Sequence, residues 1–140
     1  MTAQSGTGAA TAHPIATDVA MSTLAQGGNA FDAAVATHFV LAVVLPRAGN
    51  LGGGGFAMVH TAGGEALSLD FRETAPAAAS RDTYMPSHST RSSLRGVAAS
   101  GVPGSVDGMW QLYARFGSKS LSWPELLQPA IFLAAVHRYP

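Results

Sequence analysis

The 140-residue sequence has no cysteine and a single lysine, Lys119. The absence of cysteine excludes disulfide frameworks, thiolate zinc sites and cysteine nucleophiles, and leaves the redox compartment open. Charge of either sign is scarce. Eight basic and eight acidic residues cancel to zero and make up 11% of the chain, against about 25% in a typical soluble domain. Without a basic surplus there is no electrostatic footprint for a phosphate backbone, so nucleic-acid binding is not expected. Low charge beside 47% hydrophobic residues also argues against disorder, which needs the opposite balance. It implies that part of the surface is covered by a partner or by further chain. Long apolar runs are missing too. The longest, residues 30–45, is interrupted by Asp32, Thr37 and His38. A membrane span needs about 20 apolar residues, so the run reads as a buried helix. Residues 1–12 have neither the basic start nor the apolar centre of a signal peptide, and are expected to form a mobile leader. The compartment is left undetermined.

Small residues are in excess: 26 alanines and 16 glycines fill 30% of the chain. His13-Pro14 opens a helical pattern, with Ile15, Val19, Ala20, Thr23 and Leu24 on one face. Gly27-Gly28 closes it. Asn29 caps a second helix over 30–45, with Asp32 near its positive end. Apolar residues on every side predict burial all round, and Ala30, Ala33, Ala34, Ala36 and Ala42 allow close approach of neighbours. Pro46 stops it. A glycine-rich loop at 48–55 leads into a strand at 56–60, a turn at 61–64 and a second strand at 65–72. In the second strand Leu67, Leu69 and Phe71 alternate with Ser68, Asp70 and Arg72, as in a hairpin. Residues 73–95 read as a long surface connection. A short strand is expected at 97–100 and a turn at 101–104. A helix follows at 105–116, with Val106, Met109, Trp110 and Tyr113 on one side and Gly117 closing it. Ser122-Trp-Pro-Glu125 matches a capping box for a helix at 123–136. The pattern is α/β in class, of the α+β kind.

Few residues offer chemistry. The four consecutive glycines 52–55 could cradle a phosphate. Yet no Lys-Ser/Thr follows and the loop leads into a strand, so a tight turn between helix and strand is the simpler reading. Arg72, at a strand end between Asp70 and Glu73, suits bidentate recognition of a carboxylate; a structural ion pair is the alternative. His13, His38, His60, His88 and His137 share no ligand spacing, so no metal site is expected. His38 reads as a satisfied core histidine. No serine sits in a nucleophile elbow, and Ser100 has no identifiable base. Asp32 reads as helix-end chemistry and Trp110 as core. No residue stands out as catalytic.

Three ordered segments are distinctive: Gln26-Gly-Gly-Asn-Ala-Phe-Asp-Ala-Ala-Val-Ala36, Pro46-Arg-Ala-Gly-Asn-Leu-Gly-Gly-Gly-Gly-Phe56 and Leu69-Asp-Phe-Arg-Glu-Thr-Ala-Pro76. With Ala99-Ser-Gly-Val-Pro-Gly-Ser-Val-Asp-Gly108 and Trp123-Pro-Glu-Leu-Leu-Gln-Pro-Ala130, the chain from about His13 onward resembles the start of the large subunit of γ-glutamyltranspeptidases. The resemblance implies an N-terminal-nucleophile hydrolase with a four-layer α-β-β-α sandwich, incomplete here. Residues 13–140 would be the N-terminal segment of a truncated large subunit. In the family a precursor cleaves itself. The new N-terminal threonine of the small subunit, with its own amine as base, attacks the γ-glutamyl amide of glutathione or a related compound. That subunit would be the partner, and no cofactor is implied. Family members are often periplasmic or extracellular. Arg72 falls on the position whose arginine binds the substrate α-carboxylate, and Asp70, Glu73 and the glycine loop would hold its strand end. The catalytic threonine lies outside the sequence, so the chain alone is expected to be inactive. Glutaryl acylases of the same superfamily are the alternative. Glutaryl has no α-carboxylate on an amino-bearing carbon, so the arginine is expected to favour γ-glutamyl donors. A non-catalytic pseudoenzyme or interaction module is a further alternative.

Overall fold

A computed structural model gives the fold and describes residues 6–85 and 92–137. It is a mixed helix and sheet structure. Helices α1 (Pro14–Ala25) and α2 (Ala30–Val44) are followed by strands β1 (Phe56–His60) and β2 (Ala66–Asp70), then by α3 (Ser105–Phe116) and α4 (Trp123–Val136). Each boundary has a local cause. Pro14 occupies the first turn of α1, and the His13 imidazole accepts the Ile15 N–H. Gly27 turns the chain in the left-handed region, at φ 92°. Asn29 and Asp32 form a capping box at the start of α2. At α4 the Glu125 carboxylate accepts from both the Ser122 N–H and hydroxyl.

Helix α2 is the centre of the molecule. Val35, Ala36 and Val40 are wholly buried, and Phe39 and Val44 nearly so. Its apolar residues point every way because neighbours lie on several sides; only Ala30 and Ala34 are exposed. Ala16 and Ala20 bring α1 against it, and the Thr37 hydroxyl reaches the Ala16 carbonyl at 3.5 Å. Trp123 packs edge-on to Phe39, at 5.6 Å between ring centres, and to Trp110, at 5.3 Å. This aromatic cluster joins α3 and α4 to α2.

The strands form an antiparallel pair in which Phe56 faces Asp70 and Val59 faces Leu67. One face carries Ala57, Val59, Leu67 and Leu69 into the core, and Phe71 continues it. The other carries Phe56, Met58, His60, Ser68 and Asp70, all exposed. Gly64, at φ 86°, makes the turn between them.

Three expectations are corrected. Residues 97–99 form a short 3-10 turn, not a strand. The Ala99 N–H bonds back to Gly96, which stands at φ 83°, so the backbone closes on itself. The buried face of α3 is Ser105, Gly108, Met109 and Leu112, whereas Val106 and Trp110 are 46% and 47% exposed. Gly108 causes this rotation, because the Phe71 ring occupies the space a side chain there would take. The second strand is also shorter than expected and ends at Asp70. The connection after it is irregular and largely exposed where described; residues 86–91 of that expected segment lie outside the described residues.

Candidate functional site

Arg72 stands just beyond β2, on the same side of the chain as Ser68 and Asp70. Its backbone is fixed from both flanks. The Phe71 N–H donates to the Gly55 carbonyl at 3.0 Å, and Gly55 donates back to Phe71 at 3.4 Å. On the other flank Thr74 and Val102 exchange two hydrogen bonds, 3.2 and 2.8 Å long, as an isolated bridge. The glycine loop is tied in as well, since the Gly53 carbonyl accepts the N–H groups of Gly104 and Ser105, each at 3.0 Å. Loop, strand end and the start of α3 thus form one hydrogen-bonded knot around residues 71–74.

The Arg72 side chain is exposed, and no side-chain partner holds it among the described residues. The ion pair weighed from the sequence is not formed. The Asp70 carboxylate turns back and accepts the Arg72 backbone N–H at 3.0 Å, an Asx-type turn that commits one carboxylate oxygen to the chain. Glu73 faces the glycine loop, with its carboxylate oxygen 3.7 Å from where a Cβ on Gly53 would lie. A fixed backbone under an unengaged guanidinium is the arrangement needed to receive a carboxylate from outside.

Two shallow hollows flank the knot, and Arg72 lines neither. One, of about 440 Å³, is bordered by His38, Arg47, Asn50, Glu73 and Ser105. The other, of about 450 Å³, is bordered by Thr74, Pro76, Arg81, Tyr84 and Ser100. His38 departs from the satisfied core histidine expected. It is only partly buried, and its Nε2 is enclosed without a hydrogen-bond partner among the described residues. Burial pushes its imidazole below the ordinary value, because the charged form would lose hydration. Asp32 has the helix-end role expected of it and a further one. It is fully buried, and one oxygen accepts the N–H groups of Asn29 at 2.9 Å and Ser118 at 3.0 Å. Ser100 lies in the exposed segment before Gly101. His88 lies outside the described residues.

The sequence reading missed the part played by the start of α3. The sequence marks Gly104 only as a turn residue and Gly108 not at all, yet both lie against Phe71. The signal available was their i, i+4 spacing, which places two residues without side chains on one helical face.

The family profile described as Gamma-glutamyltranspeptidase matches residues 16–136. The glutathione hydrolase proenzyme of Pseudomonas aeruginosa is 51% identical over 116 residues, covering 81% of this chain and 20% of that protein. The crystal structure of Helicobacter pylori γ-glutamyltranspeptidase superposes with a TM-score of 0.85 at 44% identity, covering 91% of this chain and 37% of that one. The acylase ACY 1 proenzyme of a Pseudomonas species (strain V22) is 38% identical over 133 residues, covering 89% of this chain and 24% of the acylase.

Proposed function

This chain belongs to the γ-glutamyltranspeptidase family, and from that premise we propose that its Arg72 binds the α-carboxylate of a γ-glutamyl donor such as glutathione. The observation that carries the reading is the exposed, unengaged guanidinium on a clamped backbone. A guanidinium offers two parallel N–H groups to a carboxylate, and charge-assisted pairs of that kind are the stronger hydrogen bonds. In the donor, three carbons separate that carboxylate from the carbonyl to be attacked. Holding one end therefore restricts where the other sits, and placement of this kind lowers the entropic part of the barrier.

The chain spans about a fifth of the length of the curated relatives it matches. The activity proposed for the whole protein is transfer or hydrolysis of the γ-glutamyl group. The family's N-terminal threonine would attack the γ-carbonyl and the amine would leave. Water or an acceptor amine would then take the acyl group. Residues 13–140 would serve as the N-terminal segment and supply donor placement; the catalytic small subunit would be their partner. The four-layer sandwich is proposed in the same terms. A second sheet would cover the strand face that leaves Phe56 and Met58 exposed at 64% and 80%.

The match to an acylase favours one second reading, a glutaryl donor. Glutaryl carries a carboxylate at the same distance from its carbonyl and lacks only the amino group, so Arg72 suits either donor and, against the expectation from the sequence, does not by itself favour γ-glutamyl. The choice between them rests with whatever contacts the amine.

The test uses a chimera in which residues 16–136 replace the matching segment of the Pseudomonas aeruginosa relative. It is expected to mature and to release p-nitroaniline from γ-glutamyl-p-nitroanilide, while the 140-residue chain alone releases none. Arg72→Met is expected to lower kcat/KM roughly ten- to hundred-fold, from the ~1.5–3 kcal/mol of a hydrogen bond to a charged group. A matured but inactive chimera, or an unchanged KM in Arg72→Met, overturns the reading.

A further inference from the structure

We propose that Gly54, Gly104 and Gly108 are positioning residues for donor binding: by leaving room for the Phe71–Glu73 backbone and the Phe71 ring, they set where Arg72 stands. The proposal rests on Arg72 as the carboxylate ligand. The crowding is severe and converges on one place. A Cβ on Gly104 would collide with the Phe71 carbonyl oxygen, and one on Gly108 with Cγ of the Phe71 ring. On Gly54 it would lie 2.6 Å from the same carbonyl oxygen, 2.7 Å from the Glu73 nitrogen and 2.8 Å from the Arg72 Cα. Ordinary contact begins near 3.4 Å.

None of the three has a left-handed φ. Gly27, Gly64 and Gly96 do, and a Cβ on those would meet open space. The requirement at 54, 104 and 108 is therefore room, not conformation. Gly108 makes the point most sharply. It lies inside α3, where alanine is intrinsically better by roughly 0.5–1 kcal/mol. Phe71, directly before Arg72, is 9% exposed, and the atoms that a Gly108 Cβ would crowd are its Cβ, Cγ and Cδ1, near the root of the side chain.

A side chain at any of these positions must push the strand end by an ångström or more. The flanking hydrogen bonds transmit that shift to Arg72, because residues 71 and 74 are both held. A shift of about 1 Å in a positioning group can cost on the order of a hundred-fold in rate. The cost should appear in donor binding, since Arg72 touches the donor and not the nucleophile.

The chimera described above supplies the assay, with γ-glutamyl-p-nitroanilide as donor and thermal melting alongside. Gly54→Ala and Gly108→Ala are expected to raise KM roughly tenfold and to lower kcat far less. In an Arg72→Met background the same substitutions are expected to add little. Phe71→Leu is expected to restore part of the KM of Gly108→Ala by relieving the ring contact. Gly28→Ala is the control for crowding elsewhere. Its Cβ would meet the Thr23 carbonyl oxygen at 2.9 Å, in the α1–α2 turn, so it should lower Tm and leave KM unchanged.

An unchanged KM in both Gly54→Ala and Gly108→Ala overturns the proposal, as does a KM increase that adds in full to that of Arg72→Met. Loss of folded protein in both variants, with no recovery of folding or KM on adding Phe71→Leu to Gly108→Ala, also counts against it and assigns these glycines to folding alone. If Arg72→Met leaves KM unchanged, the carboxylate reading fails first, and the glycine results show that failure separately.

Discussion

His38 lies on the inner length of α2, edge-on to the rings of Phe39 at 5.7 Å and Phe71 at 6.4 Å. Its enclosed Nε2 finds no partner among the described residues, and desolvation holds its pKa below the ordinary value. The sign of the consequence follows from linkage. In the unfolded chain the imidazole takes a proton near pH 6.5, while in the folded chain it does so only at lower pH. Stability is therefore unaffected above about pH 6.5, falls as pH drops below it, and levels off once the folded imidazole is protonated. A melting series from pH 7.5 to 5 is expected to show a falling Tm, with a shallower fall in His38→Leu. Equal slopes in the two proteins would remove His38 from the account. The role proposed for Arg72 rests on residue type, strand-end position and resemblance, all of which the sequence carries. The freedom of Arg72 from Asp70 was not legible, because it depends on a turn that aims the Asp70 carboxylate at the Arg72 backbone N–H instead of the side chain. The unsatisfied state of His38 was equally hidden, since sequence marks a residue as buried without naming its neighbours.

The helices show the same division between local and distant causes. The bounds of α1, α2, α3 and α4 fell within a residue or so of expectation, because Pro14, Asn29, Gly117 and the Ser122–Glu125 pair act on the few residues beside them. The orientation of α3 and the 3-10 turn at Val97–Ala99 depend on Phe71 and on Gly96 geometry, which no window of sequence reports. The start of α2 joins both kinds of cause. Asp32 closes the capping box and also accepts the Ser118 N–H, while the Asn29 amide donates to the Phe116 carbonyl at 2.7 Å. Two side chains one turn apart thereby fix the end of α3 against the start of α2, across more than 80 residues of chain. Asp32→Ala removes a carboxylate of which one oxygen accepts from two part-buried backbone N–H groups. Its expected cost is about 2–4 kcal/mol, given ~1.5–3 kcal/mol for a hydrogen bond to a charged group. Asn29→Ala should cost about 1 kcal/mol as a lost N-cap, with the amide bond adding to it. Because both act on one junction, the double variant should cost less than the two together. Urea denaturation with an unchanged m-value checks this. A change under about 0.5 kcal/mol in Asp32→Ala, the range of ordinary surface substitutions, would show that the junction is held elsewhere.

At the scale of the molecule the surface is too large for the mass. A compact 14.3 kDa monomer exposes roughly 6800 Å² by the usual scaling, whereas this chain exposes 9524 Å². The difference is comparable to the area buried in an obligate interface. Two regular elements contribute apolar patches to it. One is the outer strand face with Phe56 and Met58. The other is α4, where Ile131, Phe132 and Val136 are 56%, 66% and 55% exposed. The sheet has two strands among the described residues, so each leaves an outer edge unpaired, and such edges promote association between chains. The shortage of charge read from the sequence removes the repulsion that would keep such surfaces apart. The isolated chain is therefore expected to bind an apolar dye such as ANS and to self-associate at micromolar concentration. Replacing Phe56 and Met58 together by serine should reduce both, and co-expression with the remaining four-fifths of the Pseudomonas aeruginosa relative should reduce them further. The two treatments separate two causes: the substitutions lower apolar area alone, whereas the added polypeptide also pairs the strand edges. A monomer in sedimentation velocity that binds no dye would mean that these faces close on themselves in solution, and the argument for a covering partner would fall with them.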